Sequence, residues 1–154
     1  MKIEVYTDGS CFDAFGIGGW GVYIVIDSQK SIEFSGSCKC KNSINMEFLA
    51  IAKALEYIDM FLVGTDNINV FIYTDSDYII KLIKQKDKAN KKSFPTRDKT
   101  SKRNKKILFD ICNYQAEIDF IKWVLVKSHS GIKGNEIADR LAKKAAQKAM
   151  ESKV

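Results

Sequence analysis

The chain of 154 residues lacks the features of several protein classes. No stretch approaches the roughly 18 consecutive apolar residues of a membrane-spanning helix. The N-terminus begins with a strand-like pattern rather than a basic segment followed by an apolar one. We therefore expect neither export nor membrane insertion, and place the protein in the cytoplasm.

Metal-binding and disulfide patterns are equally scarce. The chain has a single histidine, and its four cysteines form no C-x-x-C pair, which argues against a structural zinc site. We expect the cysteines to be reduced thiols. They lie at residues 11, 38, 40 and 112.

The composition is that of a folded domain of ordinary size. Apolar residues make up 45% of the chain, with 9 Phe, 6 Tyr and 2 Trp, which suffices for a full core at this length. No internal repeat, low-complexity tract or linker interrupts it. We therefore expect residues 1–154 to form a single domain, with a monomer as the default and no obligate protein partner.

Positive charge is concentrated in one insertion at about residues 84–106. This segment holds 11 Lys and Arg against 2 Asp, so its net charge of +9 exceeds the +6 of the whole chain. Such a run can be a solvated face or a loop, but its density favours contact with a polyanion such as nucleic acid. Alanine at Lys86, Lys88, Lys91 and Lys92 is expected to flatten the salt dependence of that binding.

The sequence Tyr-Thr-Asp occurs twice, each time at the end of an apolar, β-branched run typical of a strand. The first run ends at Asp8 before Gly9, and the second ends at Asp75 before Ser76. If the two strands are parallel neighbours, both carboxylates emerge together, and like charges so close require a cation. Two unrelated aspartates in turns are the alternative.

A glycine-rich stretch follows the first strand. No G-x-G-x-x-G opens a helix there, which excludes a dinucleotide-binding fingerprint. We expect residues 11–21 to form a hairpin connection. Strands at 20–27 and 31–37 then complete an antiparallel meander, because such short connections leave no room for a helical crossover.

Residues 45–62 have the apolar period of a helix, which we expect to end at Gly64. Glu47 lies in its first turn, in the middle of the apolar stripe. A carboxylate there is costly without a partner. A role as a helix cap would favour the solvent side instead, so we expect Glu47 to join the metal site.

The second half alternates helices and strands, which predicts an α/β arrangement with parallel strands. On its last helix, expected over residues 136–150, Asn135 and Asp139 lie one turn apart at the edge of the apolar stripe. Asp139 can be a fourth site carboxylate or can pair with Lys143 at i+4. His129 lies in a loop rich in Gly and Ser, where a mobile proton carrier is plausible.

Five motifs stand in a consistent order and spacing: YTDGS, NMEFLA, YTDSDY, VKSHSG and GNEIADRLA. From Lys2 to about Met150, the chain thereby resembles the type 1 ribonucleases H. The resemblance implies a five-stranded mixed sheet, with three antiparallel strands followed by two parallel ones, flanked by helices. It also implies endonucleolytic, Mg²⁺-dependent cleavage of the RNA strand of an RNA–DNA hybrid.

Site residues follow from the same resemblance. Two Mg²⁺ ions, for which Mn²⁺ can substitute, would be held by Asp8, Glu47, Asp75 and Asp139. His129 would assist proton transfer or product release, and the basic insertion would hold the hybrid. Phosphodiester hydrolysis by two metals needs such a set of hard oxygen ligands.

The sequence departs from the family pattern where members often carry Asn or Gln. These positions are Ala14, Ser43, Ile44 and Asp77. Beyond the four lysines, we expect the substrate contacts to come from Gly9, Ser10, Cys11, Asn42, Asn45 and Asn135. Two other functions remain open: a duplex-binding module that does not cleave, and a DNA-directed nuclease of the same superfold.

Overall fold

The structure is a computed structural model that describes residues 1–62, 64, 67–89 and 102–152, with residues 86–89 as backbone only. Its strands are β1 Lys2–Phe12, β2 Ile17–Ile26, β3 Lys30–Lys39, β4 Asn69–Thr74 and β5 Phe120–Leu125. Its helices are α1 Ser43–Phe61, α2 Asp77–Ala89, α3 Lys102–Ala116 and α4 Lys133–Glu151. None of these helices has the length and apolarity needed to cross a bilayer.

The five strands form one mixed sheet in the order β3-β2-β1-β4-β5. β1 is antiparallel to β2, and β2 to β3. β4 lies parallel to both β1 and β5. The predicted architecture is confirmed. Tyr6 pairs with Tyr73, so the two Tyr-Thr-Asp sequences lie side by side in the same register.

The first strand is longer than predicted. β1 does not stop at Gly9 but continues to Phe12, paired with β2 throughout. Its pairing with β4 ends at Tyr6. Asp8 therefore lies within β1, at the point where the neighbouring strand has ended.

The glycine-rich stretch serves helix packing more than the turn. Only residues 13–16 connect β1 to β2, so the predicted connection over residues 11–21 is wrong. A Cβ atom on Gly19 would lie 2.1 Å from the carbonyl oxygen of Ala142, and one on Gly21 would lie 2.4 Å from that of Ala138. Both positions must be glycine for α4 to approach β2 this closely.

Helices cover both faces of the sheet. α1 packs on β1 and β2 with α3 against it, whereas α4 crosses the opposite face over β1, β2 and β3. The apolar core lies on the α1 side, where Ile3, Val5 and Ile72 are fully buried. The sheet and α1 thus form a rigid frame at the edge where Asp8 emerges.

The prediction of four reduced cysteines is wrong for two of them. Cys11 and Cys40 form a disulfide that joins β1 to the segment after β3. Cys38 and Cys112 remain thiols. The two bonded residues are 29 positions apart, a spacing that carries no local signal.

The basic insertion is only partly described. Its first residues belong to α2, and its last residues begin α3. Lys91 and Lys92 lie outside the described residues, and Lys86 and Lys88 are described without their side chains. Their proposed phosphate contacts stay predictions.

Candidate active site

Three of the four predicted carboxylates meet at one edge of the sheet. Asp8, Glu47 and Asp75 each offer an oxygen atom within 4.8 Å of the others. Asp8 comes from β1, Glu47 from the first turns of α1, and Asp75 directly follows β4. The aligned Tyr-Thr-Asp sequences explain why the two aspartates are neighbours.

The start of α1 is fixed by a capping box that orients Glu47. The Asn42 side chain accepts a hydrogen bond from the Asn45 backbone N–H at 3.3 Å, and the Asn45 side chain accepts one from the Asn42 backbone N–H at 3.4 Å. Asn45 also donates to Asn104 Oδ1 at 2.7 Å and is only 4% exposed. Its side chain therefore serves the cap and the core, whereas Asn42 is exposed. Substrate contacts of Asn42 and Asn45 stay predictions.

Asp139 lies next to Asp8 and also pairs with Lys143. Its carboxyl group shares a hydrogen bond with Asp8, and its Oδ2 lies 3.0 Å from Nζ of Lys143. Asp139 thus borders the three clustered carboxylates while pairing with a lysine one turn further along α4.

A cavity of about 150 Å³ opens between these side chains. His129 reaches it from the loop before α4, with a left-handed backbone at φ 54°, a conformation in which histidine is enriched among residues other than glycine. Asn135 also lines the cavity and is buried. The lining consists of Asp8, Gly9, Ser43, Glu47, Asp75, His129, Asn135, Glu136 and Asp139.

Burial and the closeness of the carboxylates raise the pKa values of Asp8 and Glu47. Burial, the charge of Asp75 and the hydrogen bond with Asp139 together raise the pKa of Asp8 to about 8. Burial and the charge of Asp75 raise the pKa of Glu47 to about 7, although a hydrogen bond with Ser76 acts in the opposite direction. The folded protein therefore holds protons near neutral pH unless another positive charge enters the cluster.

The oxygen atoms of the site fit a cation. Oδ1 of Asp75 and Oδ1 of Asn135 are buried and have no hydrogen-bond partner within the described part of the chain. An unpaired buried oxygen is costly. Hard oxygen ligands of this kind suit Mg²⁺ or Mn²⁺.

Comparison with known proteins agrees with this geometry. The RNase H family profile matches residues 1–147. The chain belongs to the RNase H family. Ribonuclease H of Ruthia magnifica is 37% identical over 151 residues, covering 96% of this chain and 97% of that protein. Ribonuclease H of Nitrosospira multiformis is 33% identical over 149 residues, covering 96% of this chain and 91% of that protein.

Solved structures of RNase H proteins share the fold. RNase H1 of Halobacterium salinarum superposes with a TM-score of 0.74 at 19% identity, covering 96% of this chain and 99% of that one. LC11-RNase H1, solved in complex with an RNA/DNA hybrid, superposes with a TM-score of 0.73 at 22% identity. This match covers 96% of this chain and 99% of that one. At these identities the likeness establishes the fold alone.

Sequence reasoning missed several residues that line or support this cavity. Ser128 Oγ donates a hydrogen bond of 2.6 Å to Oδ2 of Asp75, and Ser76 holds Glu47. Ser43 and Glu136 line the cavity. Glu136 lies three residues before Asp139 on α4, so the helical period could have placed it on the same edge.

Two of the predicted backbone contacts lie further from the cavity. Ser10 and Cys11 continue β1 beyond Gly9 and are half-buried, and Cys11 is held in the disulfide. Of the three predicted donors, Gly9 lines the cavity, and its N–H binds Asp8 Oδ1 at 2.9 Å.

Proposed function

We propose that this protein is an endoribonuclease that hydrolyses the RNA strand of RNA–DNA hybrids. The observation that carries the proposal is the convergence of Asp8, Glu47 and Asp75 within 4.8 Å. Membership of the RNase H family supports it, as does the hybrid bound by the similarly folded LC11-RNase H1.

Asp8, Glu47, Asp75 and Asp139 would hold the divalent cations, with the Asn135 amide oxygen beside them. Two Mg²⁺ ions bound there would supply an activated water and charge relief on the leaving oxygen. Asp8 and Glu47 must lose the protons that burial and the charge of Asp75 favour before they can bind a cation, so metal and protons compete for the same oxygens.

The chain's own groups position the rest of the chemistry. Ser128 orients Asp75 through its hydrogen bond, and Ser76 orients Glu47. His129 borders the cavity from an exposed loop, where its ring can carry a proton between the site and solvent. A preference for RNA would arise from contacts to 2′-hydroxyl groups across the shallow minor groove of the hybrid.

The test uses Asp8→Asn and Asp75→Asn, which keep the side-chain volume but remove a charge. Both variants are expected to fold and to lose Mg²⁺-dependent cleavage of a labelled hybrid. Lys2→Gln is a matched control, because Lys2 is on β1 at the far end from the cavity. Full cleavage by either aspartate variant would refute the assigned site.

Matched RNA–DNA, DNA–DNA and RNA–RNA duplexes separate the alternatives. Hybrid-specific cutting supports the proposal, whereas cutting of the DNA duplex would identify a DNA-directed nuclease. Binding without cutting in millimolar Mg²⁺ or Mn²⁺ would identify a binding module. EDTA should abolish cleavage but not binding, since phosphate contacts of basic side chains need no divalent metal.

A further inference from the structure

A disulfide connects β1, which carries Asp8, to the segment that precedes α1. Cys11 and Cys40 are bonded, with their Cα atoms 6.5 Å apart. Cys11 lies three residues after Asp8 on β1, and Cys40 lies seven residues before Glu47 on α1. The bridge therefore ties together the two segments that carry two of the three clustered carboxylates.

Other sulfur atoms surround the bridge. Gly18 of β2 pairs with Cys11 on one side and with Cys38 on the other. A Cβ atom on Gly18 would lie 2.8 Å from Sγ of Cys40 and 2.6 Å from Sδ of Met46. Sγ of Cys38 is 3.8 Å from the same Met46 sulfur. A third cysteine, the thiol Cys38, thus lies in the same row of the sheet as Cys11 of the bridge.

A cationic cavity opens onto the bridge. Its volume is about 310 Å³, at the lower end of the range of about 300–1,000 Å³ for small-molecule sites. The Arg103 guanidinium spans this region, because it donates to the Lys39 carbonyl and, at 2.8 Å, to Sγ of Cys38. The lining consists of Lys39, Cys40, Lys41, Asn45, Lys102 and Arg103.

We propose that the Cys11–Cys40 bridge is a reversible modification site for an anionic low-molecular-weight thiol of the glutathione class. Reduction of this bridge lowers the affinity of the protein for nucleic acid, a consequence that rests on the proposed function. The four cations of the cavity favour an anionic co-reactant. Disulfides that external thiols can reach are the exchangeable and regulatory ones.

The exchange starts at Cys40, because Cys40 lines the cationic cavity that would hold the anionic thiol, whereas Cys11 is not among the lining residues. The incoming thiolate bonds to Sγ of Cys40, and Cys11 leaves as a thiolate. A second thiol then displaces Cys40, which releases the small-molecule disulfide. Two small thiols are oxidised, the bridge gains two electrons, and both cysteines end as thiols after protonation.

Reduction removes the covalent constraint on the segment that carries Lys39 and Lys41. After the bridge opens, Cys40 is still held by its backbone N–H, which donates to the Gly16 carbonyl at 3.0 Å. The flanking lysines are then less fixed relative to Arg103. Because preorganised charges bind phosphates more tightly, we expect hybrid binding to weaken about fivefold or more.

The experiment compares the air-oxidised protein with protein treated with millimolar glutathione without denaturant. Alkylation in denaturant followed by intact-mass measurement should count two thiols in the first sample and four in the second. Reduction should also lower Tm by roughly 5–15 °C. Four thiols after oxidation, or a bridge that glutathione leaves intact, would overturn the modification site.

Hybrid binding is measured in EDTA, so that cleavage plays no part. Cys11→Ser should bind like the reduced protein in both redox states, whereas the matched control Cys112→Ser in α3 should keep the full redox response. Equal binding by oxidised and reduced protein would overturn the regulatory consequence. Failure to bind any hybrid would refute the proposed function, while thiol counting still decides the modification site.

Discussion

Gly9 of β1 and Glu47 of α1 are in backbone contact. A Cβ atom on Gly9 would lie 2.4 Å from the backbone nitrogen of Glu47 and 2.6 Å from the carbonyl carbon of Met46. These atoms belong to the helix backbone, which cannot move aside as a flexible side chain can. The absence of a side chain at Gly9 therefore sets how closely Glu47 approaches Asp8.

The first prediction is that Gly9→Ala will displace α1 and sharply lower Mg²⁺-dependent cleavage. Overpacking should also cost about 1–3 kcal/mol of stability. Gly36→Ala is the matched control, because its Cβ would meet the Trp20 ring at 2.5 Å, well away from the cavity lining. Activity per folded molecule should fall only in Gly9→Ala, and an equal loss in both variants would contradict the argument.

The second prediction concerns pH. The pKa of Asp8 is raised from 3.8 to about 8, and that of Glu47 from 4.5 to about 7. Both carboxyl groups have a higher pKa in the folded than in the unfolded protein. The stability that they contribute to the fold is therefore fully present below about pH 4 and is lost as pH rises through 7 to 8. In EDTA, Tm should therefore fall between pH 5 and pH 8.5.

Added Mg²⁺ should reverse this loss, since a cation that binds only the ionised folded site stabilises the fold by mass action. The rescue should be largest at high pH and small at pH 5. Asp8→Asn should show a flatter pH profile in EDTA and little rescue. A Tm that is constant or rising with pH in EDTA would contradict the assignment of these pKa values to the folded protein.

The convergence of Asp8 and Asp75 could be predicted because its causes are local. Each carboxylate follows the same Tyr-Thr sequence in a strand, and parallel pairing then aligns them through Tyr6 and Tyr73. Glu47 could be predicted because a carboxylate in an apolar helical stripe needs a partner. These inferences required only strand direction and helical period.

The remaining features depend on which surfaces pack together. Gly19 and Gly21 look like turn residues until α4 is placed over β2, and only then does the close approach explain them. The Cys11–Cys40 bridge likewise depends on the long β1 strand, which brings Cys11 to the segment after β3. No short-range pattern encodes either contact.

The third prediction is that Ser128→Ala will raise the Mg²⁺ concentration needed for half-maximal activity by about tenfold, the effect expected when a ligand loses its supporting hydrogen bond. Ser128 Oγ donates to Oδ2 of Asp75 at 2.6 Å. Ser130→Ala is a control in the same loop, because the Ser130 hydroxyl donates to the Lys127 carbonyl instead. An unchanged Mg²⁺ titration for Ser128→Ala would show that this hydrogen bond does not orient Asp75.

The fourth prediction separates the chemistry of His129 from the shape of its loop. His129 has φ 54°, a left-handed conformation that asparagine also tolerates, so His129→Asn should preserve the loop while removing the proton carrier. We expect kcat to fall about a hundredfold with little change in the KM for a hybrid, as for loss of a proton-transfer group. His129→Gly keeps the backbone conformation without any polar side chain. It should show the same reduced kcat as His129→Asn. Steady-state kinetics at saturating Mg²⁺ provide the measurement, and full kcat in His129→Asn would mean that the loop contributes position but no proton transfer.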